Sequence, residues 1–240
     1  MVTITAIVPA AGCGARAGLN GNKILAPLLE RPVLWWTLEA LSCAPWPEAG
    51  ARLCQLVVVA RPDEFSLVRL AAPPMPEGVE LLLVQGGDTR QQSVEAGLRA
   101  AQGAYVLVHD AARPCVSDDL LLRTAARGIR TGAAIAALPA SDTVKWAHEN
   151  KRDEIQTTLP RERVHLAQTP QVFWRGALVK AFKKARESDF AGTDCASLIE
   201  HAGGRVALVE GERSNIKVTF PDDLERAALF LARASSHLPG

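Results

Sequence analysis

The sequence predicts an α/β fold, a Rossmann-like and mostly parallel sheet flanked by helices. Apolar runs of strand length recur along the chain, at Thr3–Val8, Gln55–Ala60, Val79–Val84, Tyr105–Val108 and Ala133–Leu138. These runs are almost continuously apolar, which is typical of strands covered on both faces. Helical patterns separate them, at Pro32–Ser42, Thr89–Ala101 and Ser117–Arg130. Such alternation indicates parallel strands joined by right-handed crossovers.

Length and composition favour one soluble domain. The chain has 240 residues, with 27 basic and 26 acidic side chains. This balance argues against a general nucleic-acid or membrane-surface binder, and no apolar run reaches the length of a membrane span. The five cysteines are widely spaced and form no CxxC pair, which favours free thiols in a reducing compartment. We expect a cytoplasmic protein with one domain over 1–234 and a flexible tail over 235–240.

The second half of the chain is less regular. Residues 141–172 are polar and rich in charge, with short alternating stretches, and predict a projecting β-arm. The α/β pattern then resumes. Helices are expected at Gly176–Arg186, Asp194–His201 and Pro221–Arg233, and strands at Arg205–Val209 and Asn215–Thr219.

A glycine-rich loop follows the first strand. Residues 8–23 read VPAAGCGARAGLNGNK. Glycines allow the backbone to approach a ligand closely, and the free N–H groups of such a loop bind anions. Arg16 and Lys23 add positive charge, so the loop predicts a phosphate site, although a long surface loop would have a similar composition.

Known phosphate motifs fit this loop poorly. Gly12, Gly14 and Ala17 satisfy the loose G-x-G-x-x-A fingerprint of dinucleotide-binding proteins. That fingerprint also needs an acidic residue at the end of the second strand; Glu30 has nearly the right spacing but lies in a turn that enters a helix. A Walker loop needs Gly-Lys-Ser/Thr, whereas Lys23 follows Asn22.

Several stretches, taken in order, carry a resemblance. They are PAAGCGARAG with Lys23, GGDTRQQSV (86–94), VHDAARP (108–114), QTPQVF (168–173), TDCASLIE (193–200) and NIKVTFPDDL (215–224). Together they resemble the 2-C-methyl-D-erythritol 4-phosphate cytidylyltransferases of the non-mevalonate isoprenoid pathway, with the fold of nucleotide-diphospho-sugar transferases. Two positions depart from the common pattern of that family: Ile24 follows the loop lysine, and Cys195 stands where an acidic residue is common.

The resemblance implies transfer of CMP from CTP to 2-C-methyl-D-erythritol 4-phosphate, with release of pyrophosphate. The attacking phosphate monoester has a second pKa of about 6, so it is largely ionised at neutral pH and needs no general base. The reaction needs positive charge where negative charge develops. By resemblance, Arg16 and Lys23 stabilise the α-phosphate in the transition state, while Arg161 and Lys217 position the methylerythritol phosphate. Arg163 lies close enough to Arg161 to be confused with it.

The resemblance also implies binding residues. The nucleotide-binding set is Ala10, Ala11, Gly12, Gly14, Gly86, Asp88, Ser93 and Asp110. The set for the second substrate is Arg113, Thr143, Thr169, Thr193 and Asp194; Thr193-Asp194 also fits a helix cap. His109 is expected to be packed or hydrogen-bonded, because neighbours on a strand point to opposite faces. Mg²⁺ is expected with the nucleotide phosphates, and its protein ligands stay unassigned.

The arm predicts a partner. A hairpin is poorly stable alone, and this one carries the apolar residues Val144, Trp146, Ile155 and Leu159. We therefore expect a homodimer in which the 141–172 arm packs on a second copy and Thr143 reaches the neighbour's site. Three other functions remain open at this point: a ribitol 5-phosphate cytidylyltransferase, a nucleotide-binding regulator without turnover, and a nicotinamide-dependent oxidoreductase.

Overall fold

The computed structural model describes residues 1–12 and 22–235. Its strands are β1 (Val2–Pro9), β2 (Pro27–Leu28), β3 (Arg31–Pro32), β4 (Ala51–Ala60), β5 (Glu80–Gln85), β6 (Tyr105–Val108), β7 (Ala133–Pro139), β8 (Val144–His148), β9 (Lys151–Leu159), β10 (His165–Trp174) and β11 (Ala207–Glu210). Its α-helices are α1 (Val33–Cys43), α2 (Phe65–Ala71), α3 (Arg90–Ala100), α4 (Asp118–Thr131), α5 (Arg175–Glu187), α6 (Cys195–His201) and α7 (Asp222–Ser235).

Seven strands form the central sheet, in the order β5-β4-β1-β6-β10-β7-β11. β1 pairs in parallel with β4 and β6, β4 with β5, and β7 with β11. β10 runs antiparallel to both of its neighbours, β6 and β7. The sheet is therefore mostly parallel, as the apolar runs predict.

Helices cover both faces of this sheet. On one face, α1, α4 and α7 pack through Leu34, Leu120 and Ala227 against side chains such as Leu56. On the other, α3, α5 and α6 pack through Leu98, Phe182 and Ile199, and the sheet supplies the alternate side chains such as Val57. Because both faces are buried, residues 56–60 of β4 are all apolar, and the periodicity of a half-exposed strand is lost there.

The predicted arm is shorter than 141–172. β8 and β9 form a separate two-stranded antiparallel hairpin, but β10 is a core strand of the central sheet. Gln168, Thr169 and Gln171 are buried in β10 and hydrogen-bonded. Because these residues are polar, the sequence placed this core strand in the exposed arm.

The strand predicted at Asn215–Thr219 is wrong. The residues form a loop instead, in which Ile216 N–H bonds the Ser214 carbonyl (2.7 Å) and Val218 N–H bonds the Ala112 carbonyl (2.8 Å). Asn215 and Val218 are buried and Lys217 is exposed, so the burial does not alternate from residue to residue as it would along a strand with one face covered. The helix α2 had no counterpart among the predicted elements.

The remaining predicted elements agree within a few residues. Glu30 lies exposed in the turn between β2 and β3, shortly before α1, in agreement with the predicted turn that enters a helix. No helix among residues 1–12 and 22–235 is long and apolar enough to cross a membrane. Of the predicted tail, residues 236–240 lie outside the described part.

Candidate active site

A cleft of about 340 Å³ opens at the carboxyl ends of β1 and β6, where α/β sheets bind ligands. The segments that follow these two strands form part of its wall, and the first turn of α3 closes one side. Predicted residues in its walls are Ala10, Ala11, Gly12, Lys23, Asp88, Ser93, Asp110 and Lys217. Residues from distant parts of the sequence thus meet in one place, as the ordered motifs require.

Lys23 is held by a buried network at the end of β1. It begins a short 3₁₀ turn that Asn22 caps, since the Asn22 side chain accepts from Ile24 N–H (3.4 Å). The same Asn22 amide donates to the Ala10 carbonyl (3.1 Å) and to buried Glu64 (3.0 Å). Arg61 neutralises Glu64 at 2.8 Å. The lysine backbone is therefore tied to the strand end that carries Ala10.

The GGD turn packs against the other side of the β1 end. A side chain on Gly86 would place its Cβ 2.5 Å from the Ala11 Cβ and 3.0 Å from the Ser93 Oγ. Gly87 N–H donates to that Ser93 hydroxyl (3.2 Å). Gly86 itself lies behind the cleft wall formed by the described residues. Glycine is required here because Ala11 and Ser93 leave no room.

Asp110 lies at the centre of a cluster of cations. Its Oδ1 accepts from Arg90 Nε (3.2 Å) and Nη2 (3.0 Å), and its Oδ2 accepts from Lys217 Nζ (2.7 Å). Arg113 Nε lies 3.8 Å from Oδ2. Burial alone would raise the pKa of Asp110, but Arg90 and Lys217 hold it well below its usual range. Asp110 is therefore an anchor for cations at neutral pH and not a general acid.

Arg90 is a site residue that the sequence reasoning missed. It lines the cleft beside Asp88, at the first position of α3. A cation there is opposed by the helix dipole, which favours negative charge at a helix N-terminus. An arginine at this unfavourable position of the GGDTRQQSV motif could have indicated a functional residue from the sequence.

His109 is structural, as predicted. It is fully buried, and its Nε2 lies 3.1 Å from the Arg113 carbonyl, so this nitrogen carries the proton. Its Nδ1 has no hydrogen-bond partner among the described residues. Burial lowers the pKa of His109 to about 4. It is neutral at physiological pH and is absent from the described residues that line the cleft beside Asp110.

The residues predicted for the second substrate are more scattered. Thr169 Oγ1 accepts from Asp110 N–H (3.0 Å), so it fixes the backbone of the residue at the centre of the cluster. Arg113 donates to the Asn215 carbonyl (2.6 Å) and is mostly buried. Asp194 caps α6 and accepts from Gln171 (2.8 Å), and Thr193 beside it is exposed.

Thr143 and Arg161 lie at the base of the hairpin. Both are exposed, and Arg161 Nη1 donates to the Ser141 carbonyl (3.1 Å). Neither forms part of the cleft wall that the described residues make. Arg16 and Gly14 lie outside the described residues.

Comparison with known proteins identifies the family. Residues 4–233 match the family described as "IspD: 2-C-methyl-D-erythritol 4-phosphate cytidylyltransferase". The chain belongs to this family. The relative of that name from Acidobacterium capsulatum is 39% identical over 239 residues, covering 96% of this chain and 98% of its own. The one from Gloeobacter violaceus is 40% identical over 223 residues, covering 91% of each.

Solved structures agree. The cytidylyltransferase of that name from Thermus thermophilus is 36% identical, with a TM-score of 0.72, and covers 97% of this chain and 98% of its own. The 4-diphosphocytidyl-2C-methyl-D-erythritol synthase from Anaerococcus prevotii is 29% identical, with a TM-score of 0.81 and coverage of 97% of each chain.

The two departures from the common family pattern lie in buried positions. Ile24 packs into the core beside Lys23. Cys195 is buried at the start of α6, and this burial raises the pKa of its thiol to about 12, although the nearby positive charge of Arg90 lowers it in part. The thiol therefore stays protonated, and the negative charge that pairs with Arg90 is that of Asp110.

Proposed function

We propose that this chain transfers the cytidylyl group of CTP to 2-C-methyl-D-erythritol 4-phosphate. A phosphate oxygen of the alcohol phosphate attacks the α-phosphorus of CTP and forms a new O–P bond. The bond from that phosphorus to the bridging oxygen breaks, and pyrophosphate leaves with the electron pair. No proton has to move, because the attacking oxygen is already ionised. Family membership over residues 4–233 carries this proposal.

The cations of the cleft supply what such a reaction needs. Two substrates with several negative charges must meet in line, so the protein has to reduce their repulsion and hold them in place. Lys23, Arg90 and Lys217 all line the cleft. We assign Lys23, with Arg16, to the α-phosphate, and Lys217, with Arg161, to the methylerythritol phosphate.

The small residues near the β1 end suit the nucleotide. Ala10, Ala11 and Gly12 offer backbone groups with little side chain in front of them. Asp88 and Ser93 bring polar side chains to the same wall. We propose that cytosine and ribose bind along this wall and that Gly14 and Gly86 belong to the same nucleotide-binding set. Asp110, Arg113, Thr169, Thr193 and Asp194 are assigned to the side of the second substrate.

Magnesium fits this cleft only as a companion of the triphosphate. Residues 1–12 and 22–235 contain no group of three or more His, Cys, Asp or Glu side chains able to hold a metal. Asp110 is enclosed by Arg90, Arg113 and Lys217, which would repel a cation. Asp88 is the exposed carboxylate of the wall and suits a water-mediated contact. Bound to the triphosphate, Mg²⁺ would neutralise charge on the leaving pyrophosphate.

Assays of pyrophosphate release with CTP and each alcohol phosphate test the activity. We expect turnover with 2-C-methyl-D-erythritol 4-phosphate and little with ribitol 5-phosphate. Lys23→Ala should lower the rate by about 10²–10³, as loss of a preorganised charge does. The control is Lys183→Ala, a lysine of α5 paired with Glu187 at the surface (3.7 Å). Equal rates for the two Lys→Ala variants would contradict the role of Lys23.

We also propose a homodimer built through the hairpin. Trp146 and Ile155 expose 58% and 63% of their surfaces on this two-stranded unit, which a second copy would cover. Thr143 at the base would then serve the neighbouring cleft. Sedimentation should show a dimer that Trp146→Glu weakens, whereas Leu70→Glu, at a leucine of α2 that is 85% exposed, leaves it intact. A fully active monomer would contradict the proposal.

The cellular setting is part of the same proposal. Cys43, Cys54, Cys115 and Cys195 are free thiols in the described chain. Free thiols are typical of reducing compartments, and this supports the proposal that the protein is cytoplasmic.

A further inference from the structure

Gln168 lies in a break of the sheet next to the site. The β10–β7 ladder runs through Ala167 and resumes at Gln171, with a register shift between them. Gln168 is buried within this break, with 7% of its surface exposed. Its side chain replaces the missing ladder contacts with bonds to another part of the chain.

Within the described chain, the side-chain amide of Gln168 forms its hydrogen bonds with Glu212 and Asn215. Its Nε2 donates to the Glu212 carbonyl (2.9 Å) and reaches the Asn215 carbonyl (3.5 Å). Its Oε1 accepts from Glu212 N–H (3.2 Å) and from Asn215 Nδ2 (3.3 Å). One side chain thus binds this segment at two residues, through both donor and acceptor.

The segment is shaped to receive this side chain. A Cβ on Gly211 would lie 2.5 Å from Gln168 Oε1 and 3.2 Å from the Ala137 carbonyl carbon. Asn215 is fully buried, and its Nδ2 also donates to the Thr169 carbonyl (2.8 Å). The fit therefore comes from both partners.

Lys217 follows two residues later. Val218 N–H bonds the Ala112 carbonyl (2.8 Å), which fixes the backbone just beyond it. The lysine side chain is 42% exposed and meets the protein at Asp110 Oδ2 (2.7 Å). A lysine has a long, flexible side chain, so its charge stays in the cleft only if its backbone is fixed on both sides.

We propose that Gln168 is a positioning residue that holds the 211–217 segment so that Lys217 reaches the cleft. Gln168 fixes the backbone before Lys217, as the Ala112 contact fixes it after. The inference rests on the proposed role of Lys217 in binding the methylerythritol phosphate. Gln168 itself does not line the cleft that the described residues form.

A double-mutant cycle of Gln168→Leu and Lys217→Ala tests this. We expect Gln168→Leu to raise the KM for 2-C-methyl-D-erythritol 4-phosphate about tenfold, since two or more hydrogen bonds are lost. The KM for CTP should change by less than about twofold. When Lys217 is already alanine, adding Gln168→Leu should raise the KM for 2-C-methyl-D-erythritol 4-phosphate by less than about twofold, because the effects of coupled residues are not additive.

The matched control is Gln55→Leu. Gln55 is fully buried and bonded to Thr5 (3.1 Å) and Glu80 (3.1 Å), in the middle of β4. Its loss should lower stability without changing either KM. If Gln168→Leu fails to fold, Gly211→Ala replaces it, since the new Cβ displaces Gln168 Oε1 from the other side.

The outcomes separate the two ideas. A Lys217→Ala variant with an unchanged KM for the alcohol phosphate would overturn the role of Lys217 and the inference together. A strong Lys217→Ala effect with fully additive loss from Gln168→Leu would overturn the inference alone. Equal rises in both KM values for Gln168→Leu would do the same.

Discussion

The stability of this protein should fall as the solution is acidified from neutral pH, because of His109. Its ring is fully buried, and the Nε2 proton is donated to the Arg113 carbonyl (3.1 Å). Burial lowers its pKa from 6.5 to about 4. The hydrogen bond to the Arg113 carbonyl and the negative charge of Asp110 raise the pKa in part, and the positive charges of Arg113 and Lys217 lower it further. In the unfolded chain the ring takes up a proton at the ordinary pKa.

The sign follows from proton binding. Between pH 6.5 and about 4 the unfolded chain holds more protons at this position than the folded chain, so acid favours unfolding there. The contribution is complete above the unfolded pKa and is lost as the pH falls. With these two pKa values, about 2 kcal/mol disappears between roughly pH 8 and pH 5. Asp110 contributes little in that window, because its ordinary pKa is 3.8 and its stabilisation is lost only in stronger acid.

Urea unfolding at the two pH values measures this difference. The comparison is with His109→Gln, whose neutral amide can still donate to the Arg113 carbonyl but does not titrate. We expect the wild type to lose about 2 kcal/mol more than the variant on acidification. If the variant lost the same amount, the buried histidine would not be the cause, and the reasoning would be refuted.

Three further substitutions test the site and its support. Gly86→Ala should raise the KM for CTP, because the new Cβ would lie 2.5 Å from the Ala11 Cβ. The control is Gly97→Ala, which crowds Ile7 in the core at 2.6 Å and should lower stability by about 1–3 kcal/mol without changing that KM. Equal effects of the two variants on the KM would contradict the role of Gly86. Arg90→Gln should lower kcat/KM by about tenfold to a hundredfold, because its charged hydrogen bonds to Asp110 are lost. Steady-state kinetics measure this, with Arg99→Gln, at an exposed arginine of the same helix, as the control. The same kcat/KM for both variants would contradict the role of Arg90. Ser117→Ala should cost about 1 kcal/mol of stability, measured by urea unfolding, since Ser117 caps α4 by accepting from Leu120 N–H (3.0 Å); an unchanged urea midpoint would show that the cap is dispensable.

Much of the fold follows from apolar runs alone. Strands such as β6, with buried Val106, Leu107 and Val108, are unambiguous because both faces of the sheet are covered. β10 escapes this logic. Its buried Gln168, Thr169 and Gln171 are satisfied by side chains and carbonyls far away in sequence, which no local pattern reveals.

The site was predictable where motifs carry it. The positions of Lys23, Asp88 and Asp110 in one cleft follow from strand ends and family resemblance. Arg90 and Gln168 were missed for a common reason. Both lie in motifs that the sequence singles out, but their partners, Asp110 for Arg90 and residues 212–215 for Gln168, are distant in sequence and are found only from three-dimensional contacts.

The hairpin β8–β9 leaves the sheet and returns at one place. Its two ends are joined where Ala140 N–H bonds the Val164 carbonyl (2.9 Å), directly beside the paired residues Pro139 and His165. The hairpin itself, residues 144–159, can therefore be lengthened, shortened or replaced without shifting the strands on either side, while Thr143 and Arg161 stay at its base. A change of sequence within the hairpin would therefore alter the surface that it offers to a partner and leave the central sheet and its cleft in place.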